Sequence, residues 1–287
     1  MAFGPGSLLY EIYGDRGGFL MAPTAGLLQL MYPALGRGVE QHSAFYDEPF
    51  ERLFRSVPQI QGMIFDGPRA GAQALQVRDF HAGIKGTFDD GARYHALDPE
   101  TFFWAHATFL DAVVRASDLF WRRPLTEPQK AAVYAEGIEW WQMYGLSMRV
   151  VPPTYGDFLD YWDHHLDEVL QATPAARGLV DFMNHPAAMD QPWLPRPLWR
   201  VMAGIGGIPA RDLAIGSLPE PARERLGFTW SPVQQAAFDA FRYTWARTWP
   251  LLPERVRLMP RARAAYRRQG RLGLDASLAA LPASRAA

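Results

Sequence analysis

The stretch DPETFFWAHATFLDAVVRAS, Asp98 to Ser117, limits more than any other what this chain can become. Asp98, Pro99 and Glu100 stand in the order of an N-cap, a first helical residue and an acidic first turn. Phe102, Phe103, His106, Phe109, Leu110 and Val113 then recur at helical spacing. The pattern predicts a long helix with a buried face, around which the rest of the fold has to pack. His106 conflicts with that face. Its neighbours at i−4, i−3, i+3 and i+4 are Phe102, Phe103, Phe109 and Leu110, so the imidazole is carried into the core. A buried imidazole needs a partner for each ring nitrogen. A backbone carbonyl and a water would satisfy it, and so would axial ligation of a flat apolar cofactor such as haem. Spacing alone leaves both open.

Helix signals also dominate elsewhere. Thr126, Glu127 and Pro128 open a helix running through Tyr134, Ile138 and Trp141 to Gly145, and Thr154 opens another through Phe158 and Tyr161 to Leu170. Pro23 to His42, Pro49 to Phe65, Arg69 to Ile84, Pro232 to Trp249 and Pro253 to Gln269 read as helices too. Strand evidence is confined to GTFDDGARYHA, where Asp90 and Gly91 form a tight turn between short flanks. The chain reads as all-α: one helical domain over residues 1–274 with a single short hairpin, and a flexible tail over 275–287. At 287 residues and 48% hydrophobic, it has enough apolar side chain to bury a sizeable core.

Several function classes fall away. There is no cysteine, which removes disulfides, thiolate metal sites, thiolate-ligated or covalently attached haem and a cysteine nucleophile. A formal net charge of −1 gives no bulk attraction to nucleic acid. No run of about 18 uninterrupted apolar residues predicts membrane insertion, and the N-terminus lacks a secretory pattern, so the expected location is cytoplasmic. GIGG at Gly204 to Gly207 lacks the preceding strand and spacing of a dinucleotide fingerprint. DHHLDE, Asp163 to Glu168, offers carboxylates and imidazoles at i, i+4 spacing, as a metal site would, but adjacent charges on an amphipathic helix read first as a solvated face. Arg78, His81 and Lys85 fall at i, i+3 and i+7, one helical face, which suits either a surface stripe or a pocket wall offering donors to an anion or a bound oxygen.

GPGSLLYEIYGD, LLQLMYP, GVEQHSAFYDEPFERL, RDFHAGIKGT, GARYHALDPETFFWAHATFLDA, PLTEPQKAAVYAE, PPTYGDFLDYW and LPEPARERLGFTWS follow one another along the chain. Together they resemble the family of MpaB-type oxygenases and the rubber oxygenase catalytic domain, from about Phe3 to Arg268. The resemblance implies a mostly helical, globin-like core around haem b, with iron held by a helical histidine that His106 matches. It implies oxidative chemistry with dioxygen on a small hydrophobic substrate, isoprenoid, polyketide or lipid-like. Arg78 matches an arginine of the distal side, whereas the rubber oxygenase has lysine where His81 stands and threonine where Ala82 stands. The expected site is therefore His106 as iron ligand, an apolar pocket from Phe102, Phe103, Trp104 and Phe109 in which Phe102, Phe103, Phe109 and Arg78 bind the cofactor, and Arg78 and His81 as the catalytic groups. A haem-dependent dehydrogenase of a natural product and a non-catalytic haem or gas-binding protein remain as alternatives.

Overall fold

The structure, a computed structural model, describes residues 3–42, 49–185, 197 and 211–281. It is all-α apart from one hairpin. In chain order the main elements are α1 (Leu8–Ile12), α2 (Ala22–Met31), α3 (Pro33–His42), α4 (Pro49–Phe65), α5 (Ala70–Phe80), β1 (Lys85–Thr87), β2 (Arg93–His95), α6 (Pro99–Phe120), α7 (Glu127–Met143), α8 (Tyr155–His164) and α9 (Pro174–Asn184). Further helices span Glu220–Arg225, Pro232–Thr248, Pro260–Gln269 and Leu274–Ala279. No helix among the described residues is long and apolar enough to cross a membrane.

Helix α6 is the one the sequence announces. The Asp98 carboxylate accepts from the backbone N–H of Glu100 at 3.1 Å and of Thr101 at 3.4 Å, and Pro99 occupies the first turn, where its missing N–H costs nothing. The helix packs against α2 and α7, and α7 packs in turn against α1, α5 and α8. The core between them is aromatic: Phe103, Trp104, Trp140, Trp141 and Tyr144 are all fully or almost fully buried. Such rings bury large apolar areas and prefer edge-on contacts, as between Phe103 and Trp141 with centroids 5.1 Å apart.

The α6–α7 contact is unusually close at one point. A Cβ on Gly137 would lie 2.6 Å from each methyl of Leu110, so the Leu110 side chain seats against α7 where glycine leaves room for it. At the other side of α7, buried Glu136 closes the start of α1: its carboxylate accepts from the Ser7 hydroxyl and from the N–H groups of Leu8 and Leu9, each at 2.8 Å. These would otherwise be orphan donors at a helix N-terminus.

Two helices expected to be continuous are broken, for one reason. The segment Pro23 to His42 divides into α2 and α3 at Tyr32, which is extended (φ −76°, ψ 122°) before Pro33. Pro253 to Gln269 divides likewise, with Met259 extended before Pro260. The ring of a proline disfavours helical geometry in the residue that precedes it. Arg69 to Ile84 also ends early, at Phe80, so Lys85 belongs to β1 and not to a helix. The hairpin is as expected: Lys85 pairs with His95, Gly86 with Tyr94 and Thr87 with Arg93, and Gly91 (φ 86°) takes the left-handed position of the turn.

The C-terminal segment returns to the first helix. Pro260–Gln269 packs on α4, and Leu274–Ala279, assigned mostly to the tail by the sequence, forms a short helix against α1. Arg271 donates to the buried Glu11 carboxylate at 2.8 Å, the Tyr266 hydroxyl donates to the Tyr10 carbonyl at 2.9 Å, and Arg261 pairs with Asp66.

Candidate functional site

Along α6, Phe102, His106, Phe109, Val113, Ala116 and Phe120 recur every three to four residues, which places them on one stripe. All six line a cavity of about 1860 Å³ whose other walls come from α1 to α5, from α9, from Tyr144, Trp245 and Trp249, and from the C-terminal segment at Arg257, Arg271 and Leu274. The lining is predominantly apolar, and two pairs of its charged groups engage each other, Asp15 with Arg257 at 3.1 Å and Glu11 with Arg271 at 2.8 Å. A cavity of this size exceeds that of an ordinary small-molecule site, about 300–1000 Å³, and has room for more than one organic group.

His106 is 1% exposed. Its Nε2 lies 2.9 Å from the carbonyl oxygen of Gly137. A carbonyl only accepts, so Nε2 bears the proton and donates it, which leaves the lone pair on Nδ1. Nδ1 is buried and has no hydrogen-bond partner among the described residues. Burial disfavours the cationic ring and pushes its pKa down to about 4, with the Gly137 hydrogen bond opposing in part. At neutral pH the imidazole is therefore an uncharged donor to α7 with an unused basic nitrogen.

The remaining candidates divide. Phe102 and Phe109 line the cavity, but Phe103 and Trp104 do not. They lie on another flank of α6, where Phe103 meets Trp141 and Tyr161, and Trp104 donates from Nε1 to the Leu28 carbonyl at 2.9 Å. His81 follows the last turn of α5, lines the cavity and meets Phe102 edge-on at 5.5 Å. Its Nδ1 donates to the Val77 carbonyl at 2.7 Å. Arg78 is not among the residues that line the cavity: its Nε and Nη2 bind Asp79, and its Nη1 donates to the carbonyl of the cavity residue Tyr144 at 3.3 Å. Lys85 is exposed on the hairpin. The three cations of the expected helical stripe therefore do not converge.

DHHLDE needs a correction as well. Asp163, His164, Asp167 and Glu168 are exposed, as a solvated face requires, but His165 is buried. The chain widens into a π-helical turn at His165–Val169, and the His165 ring stacks on Trp104 with centroids 4.8 Å apart and planes 7° from parallel. Its Nδ1 bonds the Tyr161 carbonyl at 2.8 Å. The residue sequence reasoning missed is Gly137. Its only signal was a glycine inside an otherwise regular helical pattern, a place where glycine needs a packing reason. Gly204 to Gly207 lie outside the described residues.

The described residues thus form a helical domain in which a buried, neutral histidine lies on the wall of a large, mostly apolar cavity. The family model described as "ER-bound oxygenase mpaB/B'/Rubber oxygenase, catalytic domain" matches residues 10–249, and the chain belongs to that family. No curated protein and no solved structure matches it.

Proposed function

We propose that the chain is a haem b-dependent oxygenase that acts with dioxygen on a small hydrophobic substrate, isoprenoid, polyketide or lipid-like. The observation that carries this reading is the buried, unpartnered Nδ1 of His106 on the cavity-lining stripe of α6. A buried nitrogen with a free lone pair is costly unless something occupies it, and a metal ion is such an occupant. Among the described residues no three His, Asp or Glu side chains cluster to hold a metal. Iron at His106 would thus need its other ligands from a ring, and the apolar walls fit the faces of a porphyrin. The chain has no cysteine, so the attachment is noncovalent. When bound, haem supplies an iron that binds and activates dioxygen.

The protein's own part follows from its residues. His106 is neutral at physiological pH and held in one orientation by the Gly137 carbonyl, so no proton competes for the ligating nitrogen. Phe102, Phe109 and Val113 exclude water and offer a hydrophobic substrate a surface without hydrogen-bond demands. His81 lines the same cavity and is the imidazole placed to exchange a proton there, whereas Arg78 is bound to Asp79 and does not line it.

Protein produced with ample haem should be red-brown, show a Soret band and release haem b on extraction. His106→Ala should lose it and His164→Ala should not. A wild-type protein without a Soret band after haem titration would sink the proposal. Incorporation of oxygen from labelled dioxygen into product separates an oxygenase from a dehydrogenase, and absence of any turnover in a six-coordinate protein would point to binding alone.

A further inference from the structure

We infer that Gly137 is a positioning residue for His106, and that with Leu110 it forms a close-contact pair that fixes which imidazole nitrogen keeps its lone pair for a ligand. The identity of that ligand rests on the haem proposal, whereas the geometry stands without it.

Glycine inside a helix is unfavourable relative to alanine, so its place in the middle of α7 needs a reason. The reason lies on α6. A Cβ at Gly137 would come within 2.6 Å of both Leu110 methyls and within 3.1 Å of its Cγ. Carbon atoms in contact sit about 3.5–4.0 Å apart, so an added methyl demands a displacement of about 1 Å. Leu110 is 2% exposed and belongs to the main core, and all three of its crowded atoms would have to move together. Swinging one methyl aside does not relieve the overlap.

Leu110 lies one helical turn beyond His106 on α6, so what parts the helices at Leu110 also parts the imidazole from the Gly137 carbonyl. A hydrogen bond of 2.9 Å lengthened by about 1 Å is lost. The His106 ring would then have no acceptor among the described residues at either nitrogen, because Nδ1 has no partner already. Either nitrogen could bear the proton. Since an acceptor on the far nitrogen both orients a ligating imidazole and raises its basicity, loss of this bond weakens binding at Nδ1.

The test compares wild type, Gly137→Ala, Leu110→Ala and the double variant. In the cofactor-free protein, ¹⁵N chemical shifts of the His106 ring should show a single Nε2–H tautomer in wild type, a mixture in Gly137→Ala, and the single tautomer again in Leu110→Ala/Gly137→Ala, where the crowded atoms are gone. With haem titrated in, the dissociation constant should rise about 10- to 100-fold in Gly137→Ala and the ferrous iron–histidine stretch should fall in frequency, both recovering in the double variant. A Gly137→Ala protein that keeps the Nε2–H tautomer and wild-type haem affinity overturns the inference, as does a double variant that recovers neither. Should Gly137→Ala not fold, the double variant is compared with Leu110→Ala, and equal tautomer signals support the inference while unequal ones refute it. Should wild type take up no haem, the haem reading fails and the tautomer measurement still decides the role of Gly137.

Discussion

Acid should destabilise this protein through His106 in a defined window. Burial holds the folded imidazole's pKa near 4, against 6.5 for an ordinary histidine. Between those values the unfolded chain carries a proton at this position and the folded chain does not, so protons favour unfolding. The stabilisation is fully present above pH 6.5 and is lost as pH falls to about 4, below which both states are protonated. At about 1.4 kcal/mol per pH unit, a window from 6.5 to about 4 amounts to ~3 kcal/mol, a sizeable part of the 5–15 kcal/mol typical of a domain. His165, whose pKa burial also lowers, adds to the slope with the same sign. Urea unfolding of the cofactor-free protein, followed by tryptophan fluorescence at pH 7, 6 and 5, measures it. His106→Leu removes the titrating group, so the variant should lose stability with acid less steeply than wild type, by up to about 1.4 kcal/mol per pH unit. The residual slope belongs to His165 and the carboxylates. Parallel profiles for wild type and variant would refute the reasoning, since they would mean that His106 titrates alike in both states.

Two further outcomes are expected. Glu136→Ala strands the N–H groups of Leu8 and Leu9 at the start of α1, and at about 1–3 kcal/mol for each buried unsatisfied donor the loss in urea unfolding should be about 3 kcal/mol, with Glu136→Gln, which keeps one acceptor oxygen, in between. If haem binds at His106 as proposed, His81→Leu should leave its Soret band in place and lower turnover, whereas Lys85→Met, on the exposed hairpin, should turn over normally; the reverse result would move the proposed proton-handling role to Lys85.

What the sequence made legible was local. The Asp98 cap, the α6 stripe and the Asp90–Gly91 turn each depend on residues within a few positions of one another, and all three stand in the structure. The burial of His106 followed from its four apolar neighbours. The breaks at Tyr32 and Met259 were legible in principle, because a proline follows each, but an amphipathic pattern that continues across a proline masks the interruption. The supposed stripe of Arg78, His81 and Lys85 failed because identical spacing means different things on either side of a helix end, and α5 stops at Phe80. Phe103 and Trp104 were assigned to the pocket because a helix buried on two flanks looks uniformly apolar in one dimension. Only the positions of α7 and α8 decide which flank meets a cavity and which meets other rings. The Gly137 carbonyl, 31 residues from the ring it holds, left no trace in the pattern around His106.

The family match stops at residue 249, but the folded body does not. Beyond that point Arg271 neutralises Glu11, whose side chain is fully enclosed, and Tyr266 sets its ring edge-on against both Tyr10 and Phe65. A chain cut at the boundary of kinship would keep His106, His81 and the α6 stripe, yet it would lose Arg257, Arg271 and Leu274 from the cavity wall and open a seam under α1, with a carboxylate left unpaired beneath it. Since α1 is sealed onto α7 by Glu136, and α7 holds His106, that seam runs to within two helices of the imidazole. Residues 250–281 act as a fastener for the cavity whose far wall they also form, so the stretch that defines the relatives is shorter than the stretch that has to fold.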